Sequence, residues 1–573
     1  MLRLRSVCRV ALAVLSAAWP STGVCDSVEA TKWAIATGHP AATAAGLAVL
    51  RDGGNVVDAA IAASLTLGVA EPYGSGLGGK MVLLYHDATT GKVSCVLALC
   101  PSAAAMDVER FTELPGAARK YGYHAVGVPG LPAGLHAAYE RWGTYPWAKL
   151  VAPAARLAEE GIVVSEEMRE LWAPHQNDLA NDAEACALYL LNKKTPPVGA
   201  KLRNADLAET LRRFADHGAD GFYRGETAQR IVDAAQAAGA PLTSADFSGY
   251  KPRFTEPLAV NFNGHRVYSS PAPLTGGATV LAALRASEHM QGPLPIERNA
   301  DYIDRFGRLL RVLYPRVTRE VADTPEAEGV SWELLSEATL RSVAHDAARL
   351  NPDPTALDPV NALRDREADE GIECELSAGT THLVVADAAG NMVSLTQSLS
   401  LHFGAAVVAP GTGVVLNDSM SNFATGWRES PNYAGANKLA RSTVSPVIAT
   451  RDGLPTLAVG LPGGQRIPTM TLQIVADTLG ARVPLEEAFR RPRFHLRRPI
   501  TAKQPKNLVD LEEGATEEEL ATLRRELAQL GWATERKPAN GLYFGGGNAI
   551  GYQPGGKLIA VADTRRTNSA DGD

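Results

Sequence analysis

Two adjacent threonines open the stretch best equipped for chemistry in this sequence, Ser377-Ala378-Gly379-Thr380-Thr381-His382-Leu383-Val384-Val385-Ala386-Asp387. A threonine hydroxyl is a weak nucleophile until a base lies beside it, and the nearest base is the residue's own α-amine. That amine exists only if the chain is cut directly before the threonine. Gly379 suits such a cut, because a residue without a Cβ accepts strained backbone geometry. Strand propensity alone also produces Thr-Thr before an apolar run, so the pair gains meaning only from its company.

The elements that must position it are readable nearby. Leu383–Ala386 reads as a strand, Ala388-Ala389-Gly390-Asn391 as a turn, and Met392–Thr396 as the returning strand. Upstream, residues 34–48 lead into an Ala-rich helical stretch. Asn55–Ala70 is small and apolar nearly all round, the pattern of a buried helix. The glycine cluster that follows, Gly74 to Lys80, fits G-x4-G-K. Met81 stands where a phosphate loop needs Ser or Thr, and the cluster follows a helix and opens the strand-like run Val82–Tyr85. A glycine-rich turn between a helix and a strand is the reading. Residues from about 290 to 375 are helical and charged, and Arg364 to Glu375 make a polar, acidic approach to Gly379. That composition suits a segment that must move once cut.

The 573 residues are 45% hydrophobic and 21% charged with a net charge of −7, which excludes a polyanion-binding surface and makes nucleic acid an unsuitable partner. Arg3, Arg5 and Arg9 precede an apolar stretch, Val10–Trp19, and then Pro20 and a small polar run to Cys25. That is a signal peptide over residues 1–25, implying a secreted or periplasmic protein whose mature chain begins near Asp26. No later run reaches the ~18 apolar residues of a membrane span. Cys8 and Cys25 fall in the leader, leaving Cys95, Cys100, Cys186 and Cys374, which read mainly as free thiols. No cysteine or histidine spacing calls for a metal, and nothing calls for a cofactor.

An ordered set of motifs runs from about residue 34 to 565: Gly38-His39-Pro40, Gly53-Gly54-Asn55-Val56-Val57-Asp58, Glu71-Pro72 with its glycines, and Gly127-Val128-Pro129-Gly130. Pro153-Ala154-Ala155-Arg156, Gly221-Phe222-Tyr223, the Thr380 stretch and Leu416-Asn417-Asp418 follow. Ser442-Thr443-Val444-Ser445-Pro446, Pro462-Gly463-Gly464, and Asp563 with Arg565 complete it. In these the sequence resembles the γ-glutamyltranspeptidase (glutathione hydrolase) family of N-terminal-nucleophile hydrolases. The resemblance implies an α+β fold, a four-layer αββα sandwich assembled from two subunits after self-cleavage between Gly379 and Thr380. It implies a large subunit, 26–379, and a small catalytic subunit, 380–573. Thr380 would be the nucleophile, Ser398 the hydroxyl beside its amine, and Gly463 and Gly464 the oxyanion donors. Ser442 and Thr443 would contact the substrate carboxylate.

The acyl pocket departs from the family pattern. The arginine that grips the glutamate α-carboxylate should fall near Leu99, where there is none, although Arg110 is a candidate to reach the site. The acid that holds the α-amino group falls at Asn422, and neighbouring amide positions become Ser400 and Ser419. Losing both charges argues for an amide donor other than an ordinary γ-glutamyl compound. The loop from Phe423 to Ser442 also looks short for a lid. The sequence thus reads as a self-processing amidohydrolase or acyltransferase acting on a small amide or peptide. The alternatives are a genuine γ-glutamyltransferase or glutathione hydrolase, and a silent relative serving as a binding protein. A serine hydrolase is disfavoured, because there is no G-x-S-x-G.

Overall fold

The computed structural model describes residues 25–353, 378–498, 506–514, 516–553 and 555–573. The leader up to residue 24, Cys374 and the acidic approach to Gly379 lie outside the described residues. Cys25 opens a strand, Cys25–Ala30, paired with Leu558–Asp563.

Two seven-stranded sheets organise the molecule. One runs, in spatial order, Ser569–Gly572, Trp33–Thr37, Ala378–Asp387, Met392–Leu401, Lys80–Asp87, Lys92–Ala98 and Arg253–Thr255. The other runs Cys25–Ala30, Leu558–Asp563, Asn548–Tyr552, Leu454–Gly460, Val447–Arg451, His265–Ser269 and Leu258–Phe262. All the pairings in both are antiparallel. With the surrounding helices this is an α+β fold.

Strand alternation sorts the core. Along the Thr380 strand, Leu383 and Val385 join one apolar cluster with Val57, Ile61 and Leu65 of the helix Val56–Ala70. Val384 and Ala386 point the other way, into a cluster with Ile448, Ala458, Ile550 and Ala560 of the second sheet. That sheet's opposite face, through Val447, Leu457, Val459 and Val561, packs on the helices Thr275–Ser287, Ala300–Glu320 and Ile467–Val475.

The buried helix Val56–Ala70 is started by a reciprocal cap. The Asn55 side chain accepts from the backbone N–H of Val57 at 2.9 Å and Asp58 at 3.0 Å, while Asp58 accepts from the Asn55 N–H at 3.0 Å. The glycine cluster after it is the turn into Lys80–Asp87, as its sequence indicates. Ala300–Glu320 and Glu337–Arg349 supply the helices expected in the charged region. Among the described residues Cys25, Cys95, Cys100 and Cys186 are free, and no helix is long and apolar enough to cross a membrane.

Candidate functional site

The Gly379–Thr380 bond lies at an irregularity in the sheet. On the neighbouring strand Gly379 faces Ser400 and Thr380 faces Ser398, so Leu399 is an extra residue bulged opposite the bond. Gly379 is required there for space: a Cβ would stand 2.1 Å from the Leu401 carbonyl oxygen and 2.8 Å from that of Tyr73. Thr380 is 3% exposed, and its carbonyl accepts from Arg566 Nη1 at 3.2 Å.

Ser398 ties Thr380 to the bond before it. Its hydroxyl donates to the Gly379 carbonyl at 2.6 Å and accepts from the Ser400 N–H at 2.9 Å. Thr380 Oγ1 lies 2.9 Å from the same oxygen. A serine hydroxyl has one hydrogen, here spent on Gly379, so the Thr380 hydroxyl is the donor in that contact. The arrangement polarises the carbonyl that Thr380 Oγ1 would attack and gives the threonine proton an acceptor.

Behind the bond sits a buried carboxyl. Glu71 accepts from the Tyr73 hydroxyl at 3.1 Å, and burial pushes its carboxyl up to about 6, with Thr381 and Arg566 pulling back. Arg566 was not singled out in the sequence, although its neighbour Arg565 was. Arg565 instead locks Glu512, at 2.6 Å, and Asp563, at 3.1 Å, in the core.

The glycine pair also lies close. Gly463 has φ 139 and Gly464 φ 58, a left-handed backbone that glycine tolerates, and the short turn Gly464–Arg466 contacts the Thr380 strand. Thr443 Oγ1 donates to the Gly464 carbonyl at 2.7 Å, fixing that turn. Ser442 contributes its carbonyl to Thr275 N at 2.9 Å, at the start of the helix Thr275–Ser287.

Around the residues that the sequence reading assigned to the acyl pocket, the structure adds neighbours. Leu99 is 4% exposed and packs with Leu274, Leu439 and Val444, so it is core. Arg110 lines a cavity of about 250 Å³ with Phe111, His124 and Met420. Ser400 and Asn422 do come together: Asn422 Nδ2 donates to Ser400 Oγ at 3.2 Å. The same oxygen accepts from Lys80 Nζ at 2.6 Å. Lys80 therefore stands beside Ser400 and Asn422. Lys80 was visible in the sequence only as the last residue of a phosphate-loop lookalike. Residues 423–442 form turns tied by a bridge from Ala424 to Tyr433.

These two antiparallel sheets, with Thr380 in an interior strand of one, form an architecture shared with an acylase of known structure. Cephalosporin acylase from Bacillus halodurans superposes with a TM-score of 0.84 at 25% identity, covering 98% of this chain and 99% of that one. The family model described as Gamma-glutamyltranspeptidase matches residues 42–572, and the chain belongs to that family. The glutathione hydrolase proenzyme of Pseudomonas sp. (strain A14) is 31% identical over 475 residues, covering 80% of this chain and 81% of its own. The acylase ACY 1 proenzyme of Pseudomonas sp. (strain SE83) is 30% identical over 545 residues, covering 92% and 91%. The protein is thus an enzyme of the γ-glutamyltranspeptidase-like amidohydrolases, a group holding both glutathione hydrolases and acylases.

Proposed function

We propose that this chain is a proenzyme that cuts itself between Gly379 and Thr380, leaving 26–379 as a large subunit and 380–573 as a small one. The two subunits stay together as a four-layer αββα sandwich. Both Pseudomonas relatives are named proenzymes, which supports the cut. The freed Thr380 amine is the base and Thr380 Oγ1 the nucleophile. Attack on an amide carbonyl expels the amine with the hydroxyl proton and leaves a threonine ester. Water, or a second amine, then takes the acyl group and returns the proton. Gly463 and Gly464 supply oxyanion donors, Ser442 and Thr443 contact the substrate, and Ser400 and Asn422 line the acyl pocket.

The observation that carries this is the chain of hydroxyls from Thr380 through Ser398 to the Gly379 carbonyl. Ser398→Ala removes both the donor to Gly379 and the acceptor for Thr380. A lost partner at a buried polar group costs about 1–3 kcal/mol, so self-cleavage slows roughly ten- to a hundredfold. The time course of the fragment beginning at Thr380 reads this, and cleavage at the wild-type rate would contradict the role. Ser398→Thr restores most of it.

The donor is an amide other than an ordinary γ-glutamyl compound, because Asn422 is neutral where an ammonium would need an acid. The whole-length match to an acylase supports this reading over a glutathione hydrolase. A screen of the processed protein against γ-glutamyl and other amides tests it. The protein is exported by residues 1–25. N-terminal sequencing of protein from its native host should read from near Asp26, and a chain starting at Met1 would contradict export.

A further inference from the structure

The turn that ends the buried helix Val56–Ala70 is wrapped around the Gly379–Thr380 bond. A Cβ at Gly379 would meet the Tyr73 carbonyl oxygen at 2.8 Å, and a Cβ at Gly74 would stand 3.7 Å from that of Thr380. The Gly74 carbonyl accepts the N–H of Leu399, the bulged residue opposite, at 3.3 Å. A Cβ at Gly38 would lie 2.3 Å from Thr381 Oγ1 and 2.6 Å from Glu71 Oε2, so those two oxygens share one small space. Residues Glu71 to Gly74 therefore border Gly379, Thr380, Thr381 and the bulge together.

Stability alone would not put a carboxyl in that turn. Glu71 is 1% exposed and sits at the C-terminus of its helix, where the helix's own partial charge is negative. Burial is what pushes the carboxyl up to about 6, and the Thr381 hydroxyl and the Arg566 charge only pull it part of the way back. The Tyr73 hydroxyl donates to Glu71 Oε1 at 3.1 Å. A carboxylate kept in such a place at neutral pH is costly to the fold, which is the pattern of a group retained for chemistry.

Arg566 is the matching cation. It is 7% exposed, its Nη1 donates to the Thr380 carbonyl at 3.2 Å, and its Nε has no hydrogen-bond partner among the described residues. Burial lowers its pKa, with Tyr73, Glu71 and Asp563 offsetting part of the fall. Asp563 is already paired with Arg493 and with Arg565, and Glu512 also holds Arg565. Two arginines are thus matched by two acids, which leaves Glu71 to balance Arg566. Arg566 takes the carbonyl of one threonine while Glu71 stands by the side chain of the next. Holding the main chain on that side keeps Thr380 Oγ1 aimed at the Gly379 carbonyl. Once cut, Thr380 is a chain end, which frays unless it is tied down, and its carbonyl lies on the side that remains.

We propose that Glu71 and Arg566 form a charged clamp that positions Thr380 for self-cleavage, and that the clamp holds only while Glu71 is a carboxylate. The proposal rests on the cut before Thr380. Arg566 holds the carbonyl of Thr380 and not that of Gly379, so both members are positioning residues. Before the cut Thr380 has no free α-amine, so the amine cannot shape the pH profile of the first cleavage. As pH falls through about 6 Glu71 takes a proton, Arg566 loses its balance, and cleavage slows. Few other groups compete for that limb. Tyr73 is raised well above its ordinary range by burial, and the Thr381 and Thr567 hydroxyls do not titrate. Burial pushes His39 down to about 4 and His382 to about 3, so both stay neutral. His402 stands edge-on to the Tyr73 ring at 5.8 Å, and Asp418, raised by burial to about 6, accepts from the Leu401 N–H at 2.8 Å. These last two are the controls.

The test makes the full chain by cell-free translation, moves it at once into buffers from about pH 5 to about pH 8, and times the fragment beginning at Thr380. The wild-type rate should fall about tenfold per pH unit on the acid side, as loss of one carboxylate requires. Glu71→Gln should cut roughly ten- to a hundredfold more slowly at neutral pH and show no limb. Arg566→Met should match it, Arg566→Lys should keep part of the rate, and the double variant Glu71→Gln/Arg566→Met should be no slower than either single one. Asp418→Asn and His402→Gln should keep the limb. A residue that only supports the fold would slow cleavage equally at every pH, so a limb that survives Glu71→Gln overturns the proposal. So does a wild type with no limb, or a limb that vanishes in Asp418→Asn or His402→Gln. Should Glu71→Gln not fold, Glu71→Asp takes its place, and a limb that does not move along the pH axis is the refutation. If wild type never yields a Thr380 N-terminus, the self-cleavage reading is what has failed. Thermal melts of the intact chain then judge the clamp separately: Glu71→Gln and Arg566→Met together should lower Tm by clearly less than the sum of their separate shifts, and additive shifts refute it.

Discussion

Purified wild-type chain should resolve into two fragments, the smaller with Thr380 as its first residue, whereas Thr380→Ala should remain a single chain. The effect is all-or-none because the substitution removes the attacking atom while leaving the surroundings intact. In the uncut chain Thr380 Oγ1 has an acceptor in Ser398, and Ser398 donates to the Gly379 carbonyl, so the attacking hydroxyl, its proton acceptor and the polarised carbonyl are consecutive. Attack converts the peptide bond to an ester on Thr380 Oγ1, releasing the Thr380 amine. Water then hydrolyses the ester and frees Gly379 as a carboxylate. Alanine offers no oxygen, and water without a positioned nucleophile forgoes an effective-concentration advantage worth about 7 kcal/mol or more. Thr380→Ser keeps the oxygen and should still cut. Mass spectrometry of all three proteins after the same incubation settles it: an intact wild type, or cleavage in Thr380→Ala, would remove the mechanism and favour a silent binding protein.

The readable and unreadable parts of the molecule divide along chain distance. The hairpin bearing Thr380 and the buried helix Val56–Ala70 were legible, because their signals are local: apolar runs, a Gly-Asn turn, and small apolar residues nearly all round the helix. Lys80 was not. Its meaning comes from pairing with a strand more than 300 residues later, and nothing in the Gly-Lys-Met run says which way the side chain points. Leu99 packs with Leu274 and Leu439, partners far along the chain that its own sequence neighbours do not announce. Arg566 reaches the Thr380 carbonyl from the far end of the chain, again through sheet order and not sequence proximity. Asn422 and Ser400 meet, and Lys80 joins them on the same hydroxyl from a strand the sequence did not connect to them.

Asn422→Asp should turn that meeting point into a site for a zwitterion. In the wild type Asn422 Nδ2 donates to Ser400 Oγ at 3.2 Å, one hydroxyl away from Lys80. Aspartate there reverses the contact, accepting the Ser400 hydroxyl, and sets a negative charge next to the ammonium. A donor with only a carboxylate then meets repulsion and a partly neutralised Lys80. A γ-glutamyl donor, with an amino group beside its carboxylate, gains a charge-assisted partner. Each change would be worth about 1.5–3 kcal/mol in a closed site, and Asn422 is exposed, so solvent screening removes about half. The two act in opposite directions on the two donors. The ratio of kcat/KM for γ-glutamyl-p-nitroanilide over glutaryl-p-nitroanilide should therefore rise by about 10–10². Most of the gain should disappear in Lys80→Met/Asn422→Asp, because both charges serve one ligand and their effects are coupled. A wild type that already turns over the γ-glutamyl donor better than the glutaryl one would instead make this chain an ordinary glutathione hydrolase, with Lys80 holding the α-carboxylate and Asn422 dispensable.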